Sequence, residues 1–185
     1  MSINRIGICG SHRTGKTTLA KAIATEYQIP FVQTSTSDVF KQHGLLPSMS
    51  LDFKKRLWIQ HHVIEAAITI WQAEEGAFVT DRTPLDFMAY TLADIQGKTD
   101  VDFAKLEVYL TQCFEVAHQF FTKLVVLQPA IPLVYEEGKA ALNRAYIEHL
   151  NTLIIGLCHD ERLTCPSIVI RREVVKLRER VKILY

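Results

Sequence analysis

Short runs of apolar residues alternate along this chain with longer stretches whose apolar positions recur every three or four residues. The short runs are Ile6-Gly7-Ile8-Cys9, Ile29-Pro30-Phe31-Val32, Ala77-Phe78-Val79-Thr80, Leu124-Val125-Val126-Leu127 and Ser167-Ile168-Val169-Ile170. Their length and continuous apolar character predict buried strands, with Pro30 suiting an edge or a strand start. Leu19, Ala20, Ile23 and Tyr27 mark a helix after the first strand. The polar run 34–38 can start a short helix ending near Gly44. The longest helix is expected over 52–75, with Ser50 as its cap and Gly76 as its stop signal. Its apolar stripe, Phe53, Leu57, Ile64, Ile68 and Trp71, is interrupted for one turn by Gln60 and His61. Further helices are expected over 84–95, 101–121, 139–159 and 173–184. Strands alternating with helices imply an α/β fold of three layers: a five-stranded parallel sheet covered on both faces. Such sheets bind ligands beyond the carboxyl ends of their strands. No repeat, low-complexity segment or linker divides residues 1–185, so a single domain is expected.

Composition narrows the picture only slightly. The chain has 185 residues, 48% of them hydrophobic and 22% charged, with a formal net charge of +1. That balance exerts no global pull toward nucleic acid or an anionic membrane. No window approaches the ~20 apolar residues of a membrane span, and the N-terminus lacks signal-peptide architecture. Cys9, Cys113, Cys158 and Cys165 lack C-x-x-C spacing, which points to reduced thiols and a cytoplasmic setting.

The candidate chemistry centres on Gly10-Ser11-His12-Arg13-Thr14-Gly15-Lys16-Thr17, which lies between the first strand and the first helix. A G-x-x-x-x-G-K-[ST] loop in that context turns successive backbone N–H groups, extended by Thr18, toward an anion at a helix N-terminus. Lys16 is spaced to reach the β- and γ-phosphates of a nucleoside triphosphate, and the Thr17 hydroxyl to ligate Mg²⁺. Arg13, inside the loop, is a further candidate for phosphate or acceptor contact.

Asp81 ends the third apolar run. If that strand neighbours the first, its carboxylate comes within reach of Lys16 and Thr17. There it would hold Mg²⁺ through water or accept a proton from an attacking hydroxyl. Arg82 follows as a phosphate clamp. Gln60 is either satisfied locally or faces a nucleobase across a cavity. Asp94-Ile95-Gln96-Gly97 spells D-x-x-G but lies at a helix end, and no N-K-x-D accompanies it. The basic C-terminal stretch 171–182 reads as a solvated helix packing through Val174, Leu177, Val181 and Leu184.

Together with the phosphate loop, Asp81-Arg82-Thr83-Pro84-Leu85-Asp86-Phe87-Met88-Ala89-Tyr90 and Gln128-Pro129-Ala130-Ile131-Pro132 carry a resemblance. The chain resembles small P-loop kinases of the nicotinamide riboside kinase and nucleoside/nucleotide kinase type, an ATPase-like AAA domain family. The resemblance implies a P-loop NTPase fold with a short helical lid, and ATP and Mg²⁺ as cofactors. It implies phosphoryl transfer to a nucleoside, nucleotide or similar small acceptor, with Lys16, Asp81, Arg82 and Arg144 as the catalytic set. Lys139 then stands in the lid segment Tyr135-Glu136-Glu137-Gly138-Lys139 where the family carries arginine, and Arg144 would be a second lid cation. Asp38 is the nearest acidic residue after the second strand for holding an acceptor. Two other readings remain open: a kinase acting on a modified nucleotide in DNA, and a nucleotide-sensing P-loop module. The acceptor and the oligomeric state are not legible.

Overall fold

A computed structural model describes residues 4–133 and 143–184. The elements run β1 (Arg5–Cys9), α1 (Lys16–Tyr27), β2 (Phe31–Val32), α2 (Thr36–Gln42), α3 (Phe53–Gln72), β3 (Phe78–Thr80), α4 (Pro84–Ala93), α5 (Phe103–Phe120), β4 (Lys123–Leu127), α6 (Arg144–Cys158), β5 (Ser167–Ile170) and α7 (Leu177–Lys182). All strand pairings are parallel, in the order β2-β3-β1-β4-β5. The expected five-stranded parallel α/β sheet is therefore present. The strand order places β3 directly beside β1, so Thr80 pairs with Gly7 and the two strands end on the same edge.

Alternation along the strands splits the core into two layers. Ile6, Ile8, Val79, Val125 and Leu127 face Leu19, Ala20 and Ile23 of α1 and Val181 of α7. Cys9, Phe78, Leu124 and Val126 turn the other way, toward a larger cluster from α3, α4, α5 and α6 that includes Trp71, Met88, Tyr109 and Ile154. Burial on both faces is why the strands read as unbroken apolar runs rather than alternating ones. Among the described residues, no helix is long and apolar enough to cross a membrane.

Helix ends depart from the sequence expectations, each for a local reason. The cap of α3 is Asp52, whose carboxylate accepts from the Lys55 amide at 2.7 Å, and not Ser50. α3 stops at Gln72, short of Gly76, and the Arg5 guanidinium takes the carbonyls of Glu74, Glu75 and Gly76. α4 starts with the capping box Thr83-Pro84-Leu85-Asp86, a start signal stronger than Pro84 alone. α7 covers only Leu177–Lys182; of the expected stripe, Val181 and Leu184 are buried in the core and Val174, ahead of the helix, packs against the same cluster. Leu177 is exposed, whereas Arg180 is buried with Val181 and Leu184. The expected lid segment 135–139, Lys139 included, lies outside the described residues.

Candidate active site

β1 ends at Cys9 and the chain turns at once. Gly10 has φ 154°, and a Cβ there would stand 2.4 Å from the Leu127 carbonyl oxygen of β4. No other residue tolerates that approach, which seats the loop tightly on the sheet. The Thr14 hydroxyl then donates to the Ser11 carbonyl at 2.9 Å, closing the loop on itself. Gly15, at φ 89°, caps α1 without any side-chain hydrogen bond. The first amides of α1 are consequently left for a ligand, at the positive end of a twelve-residue helix.

Lys16 folds back over this loop. Its ammonium donates to the carbonyls of Gly10 and Ser11 at 2.7 and 2.9 Å and lies 3.8 Å from an Asp86 oxygen. Burial pushes its pKa down from 10.5 to about 8, against the opposing pull of Asp86. Thr17, one residue on, donates its hydroxyl to the Asp81 carboxylate at 2.5 Å. The β1–β3 pairing thus brings the strand-terminal carboxylate to the mouth of the loop. Thr17 and Asp81 present the hard oxygen donors that Mg²⁺ prefers. Among the described residues no group of three or more His, Cys, Asp or Glu could hold a metal. A cation here would have Thr17 and Asp81 as its protein donors, with phosphate and water oxygens to complete its shell as Mg²⁺ usually has.

Asp86 was not singled out from the sequence, yet it joins the loop to the Asp81 strand. Fully buried, it accepts from the Gly10 amide at 3.2 Å and from both the amide and hydroxyl of Thr83 at 2.9 Å. Burial raises its pKa, while Lys16 and Arg82 act to lower it. The legible signal was the capping-box spacing Thr83-x-x-Asp86. Tyr90 lies one turn beyond Asp86 on the same face of α4. It holds the Arg82 guanidinium 5.9 Å from its ring centroid, and its hydroxyl lies 3.2 Å from His12 Nδ1. Burial works to lower the pKa of Arg82, but Asp86, Tyr90 and Asp81 outweigh it and hold the guanidinium above its ordinary value.

Beyond this cluster a cavity of about 1050 Å³ opens, touching Thr17, Asp81 and Arg82 at one end and Gln60, Arg56 and Asp94 among its other walls. Gln60 is buried, and its carbonyl oxygen has no partner among the described residues. Its neighbours are an ion pair, Arg56 Nε to Asp94 Oδ2 at 2.6 Å. Arg56 and Gln60 are four apart on α3, a polar face visible in the sequence once the helix is placed. Asp94, dismissed as part of a misplaced D-x-x-G, proves to line the cavity. His12 and Tyr146 complete this wall, with ring centroids 5.9 Å apart.

The remaining candidates fall elsewhere. Ser11 and Thr14 are buried within the loop, and Thr18 is exposed in the first turn of α1. Asp38 stands exposed in the first turn of α2, where Ser35 caps its amide, and it does not line the cavity. The helix begins with the β2-following loop, so Ser35, Thr36 and Ser37 reach the cavity instead. Arg13 is half-buried with φ 62°, and Arg144 is exposed at the start of α6; neither lines the cavity. His61 turns from it to Gln112, 3.2 Å away.

Three solved structures have the same fold. Deoxyadenosine kinase from M. mycoides with bound dATP superposes with a TM-score of 0.68 at 16% identity, covering 98% of this chain and 96% of the other. The NadR protein in complex with NAD and AMP-PNP gives 0.68 at 14% identity, covering 98% of this chain and 48% of that longer one. The YorR protein from Bacillus subtilis, in complex with phosphorylated GDP, gives 0.55 at 14%, covering 98% and 93%. No curated protein sequence matches significantly. A sequence family described as AAA domain matches residues 5–149, which include the phosphate loop, Asp81, Arg82 and Asp86. The chain belongs to that AAA domain family.

Proposed function

We propose that this protein transfers the terminal phosphoryl group of ATP, with Mg²⁺, to a hydroxyl of a nucleoside, nucleotide or similar small acceptor held in the cavity. The observation that carries this reading is the contact of Thr17 with Asp81 at the mouth of the loop, opening onto a cavity large enough for an acceptor. The amides of residues 11–18 hold the phosphates, and Lys16 neutralises charge on the transferring group. Thr17 and Asp81 would hold Mg²⁺, which would supply positive charge to offset that of the phosphates. Asp81 orients that cation with Thr17, or takes the acceptor's proton as its oxygen bonds to phosphorus and the bond to the ADP oxygen breaks. Arg82, kept charged by Asp86 and Tyr90, steadies the acceptor or the phosphoryl oxygens. Gln60, with an unused carbonyl oxygen, offers the acceptor's base or amide a hydrogen-bond partner, the role its place in the apolar stripe suggested. Catalysis of this kind is positioning and electrostatics. The dATP, NAD and phosphorylated GDP bound in the similar structures named above support a nucleoside-type acceptor.

A free small molecule is favoured over DNA. Half of the basic residues of the C-terminal stretch are paired: Arg171 with Glu173, Arg172 with Glu148, and Lys176 with Glu179. The test is a panel of nucleosides, nucleotides and duplex DNA incubated with γ-labelled ATP and Mg²⁺. Label should pass to a small acceptor in the wild type and to none in Lys16→Met. Tight ATP binding with no labelled acceptor would assign a sensing module instead, and label on DNA would overturn the small-acceptor reading.

A further inference from the structure

The C-terminal helix contributes one residue to the phosphate loop from the far side. Arg180 is only 2% exposed, beneath the loop. Its Nε donates to the Val174 carbonyl at 2.7 Å, which fixes the plane of the guanidinium, and its Nη1 donates to the Thr14 carbonyl at 3.4 Å. The same Nη1 would lie 3.7 Å from a Cβ built on Gly15, so the guanidinium flanks the Thr14–Gly15 peptide directly. Its Nη2 is buried without a hydrogen-bond partner, and no carboxylate pairs with it among the described residues. Burial alone lowers its pKa. A guanidinium nevertheless stays protonated in a protein. Burying such a cation against neutral carbonyls is unfavourable unless an anion compensates it.

We infer that Arg180 is a positioning residue for nucleotide binding, gripping the Thr14–Gly15 peptide by its carbonyl and contributing a buried positive charge that a nucleotide's polyphosphate balances. In a planar trans peptide the carbonyl and the N–H point in opposite directions. An arginine holding the Thr14 carbonyl therefore turns the Gly15 N–H away from itself, toward the ligand side of the loop. Hydrogen bonding at the carbonyl also polarises that peptide, which strengthens the N–H as a donor. The C-terminal segment thereby becomes part of the nucleotide site, through contacts that neither the loop motif nor the Asp81-Arg82 run encodes. This inference rests on ATP occupying the loop.

Arg180→Met removes the charge and donors while keeping an extended apolar side chain, and Arg180→Lys keeps the charge without the fork. MgATP and MgADP affinities are measured by calorimetry on wild type and both variants, alongside melting temperatures with and without nucleotide. The expected result is a nucleotide-free Arg180→Met that melts no lower than wild type and binds MgATP at least ~10-fold more weakly. Arg180→Lys should recover part of that loss, and KM for ATP should rise while KM for the acceptor is unchanged. If the wild type binds ATP and Arg180→Met binds it equally well, the inference is wrong. A lower nucleotide-free melting temperature with unchanged affinity in either variant reduces Arg180 to a structural tie and overturns it as well. A wild type that binds no nucleotide refutes the ATP reading itself, a result distinct from either of these.

Discussion

Replacing Asp86 by Asn isolates the electrostatic link between the α4 start and the phosphate loop. In the wild type Lys16 titrates at about 8 because burial outweighs its attraction to Asp86. The charged form accepts nucleotide, so kcat/KM for ATP, which reports the free enzyme, should fall as pH rises through about 8. Asp86 Oδ1 stands 3.8 Å from the ammonium. At that separation the attraction is ~1 kcal/mol in a water-like dielectric and ~4 kcal/mol at an effective value of about 20. Without it, Lys16 loses its proton about 1–3 pH units lower, at 1.36 kcal/mol per unit. Asn keeps an oxygen for the Gly10 or Thr83 amide but not for every donor, so destabilisation of ~1–3 kcal/mol is also expected. The assay is steady-state kcat/KM for ATP from about pH 6 to about pH 10, with circular dichroism confirming a folded variant. The alkaline limb should move to lower pH in Asp86→Asn. In both enzymes kcat itself should change far less, because phosphate oxygens bound at Lys16 restore its charge. An identical midpoint for the two enzymes would show that Asp86 does not set the charge of Lys16.

Removing the ammonium should separate folding from function. Lys16→Met should lose phosphoryl transfer by at least ~100-fold, measured with labelled ATP, without losing stability at neutral pH. Because the folded pKa of Lys16 lies below 10.5, the unfolded chain binds more protons between about pH 8 and 10.5. Wild-type stability should therefore gain a rising contribution across that window, read by denaturant titration, that Lys16→Met lacks. Gly10→Ala drives a Cβ to 2.4 Å from the Leu127 carbonyl at a φ of 154°, and chemical denaturation should show a loss of about 2–4 kcal/mol or no folded protein. Gln60→Leu removes an unpartnered amide oxygen from the cavity wall, so stability should change by less than ~1 kcal/mol. KM for the acceptor should nonetheless rise at least ~10-fold with KM for ATP unchanged. Asp81→Asn should raise the Mg²⁺ concentration for half-maximal activity about 10–100-fold, read from a metal titration.

The amino-acid sequence by itself determined what depends on short-range geometry. The spacing of Gly10, Gly15, Lys16 and Thr17 dictates a turn, an uncapped helix start and a cation beside it. The apolar runs dictate strands buried on both faces, and the position of Asp81 at the end of one of them puts a carboxylate on the ligand edge. Tertiary structure alone decided which residues meet. Asp86 reaches the Gly10 amide 76 positions away only because β3 lies against β1, and Asp94 finds Arg56 only because α3 packs on α4. Arg180 read as one more solvent-facing charge on a basic helix, but the packing of α7 against α1 sets it under the loop at Thr14, 166 positions distant. Asp38, near enough in sequence to serve the cavity, is turned outward by the helix that Ser35 caps. Local pattern specifies the elements because hydrogen bonding and side-chain period act over a few residues. The partners of a buried charge are set by how whole layers pack, and no stretch of sequence contains that information.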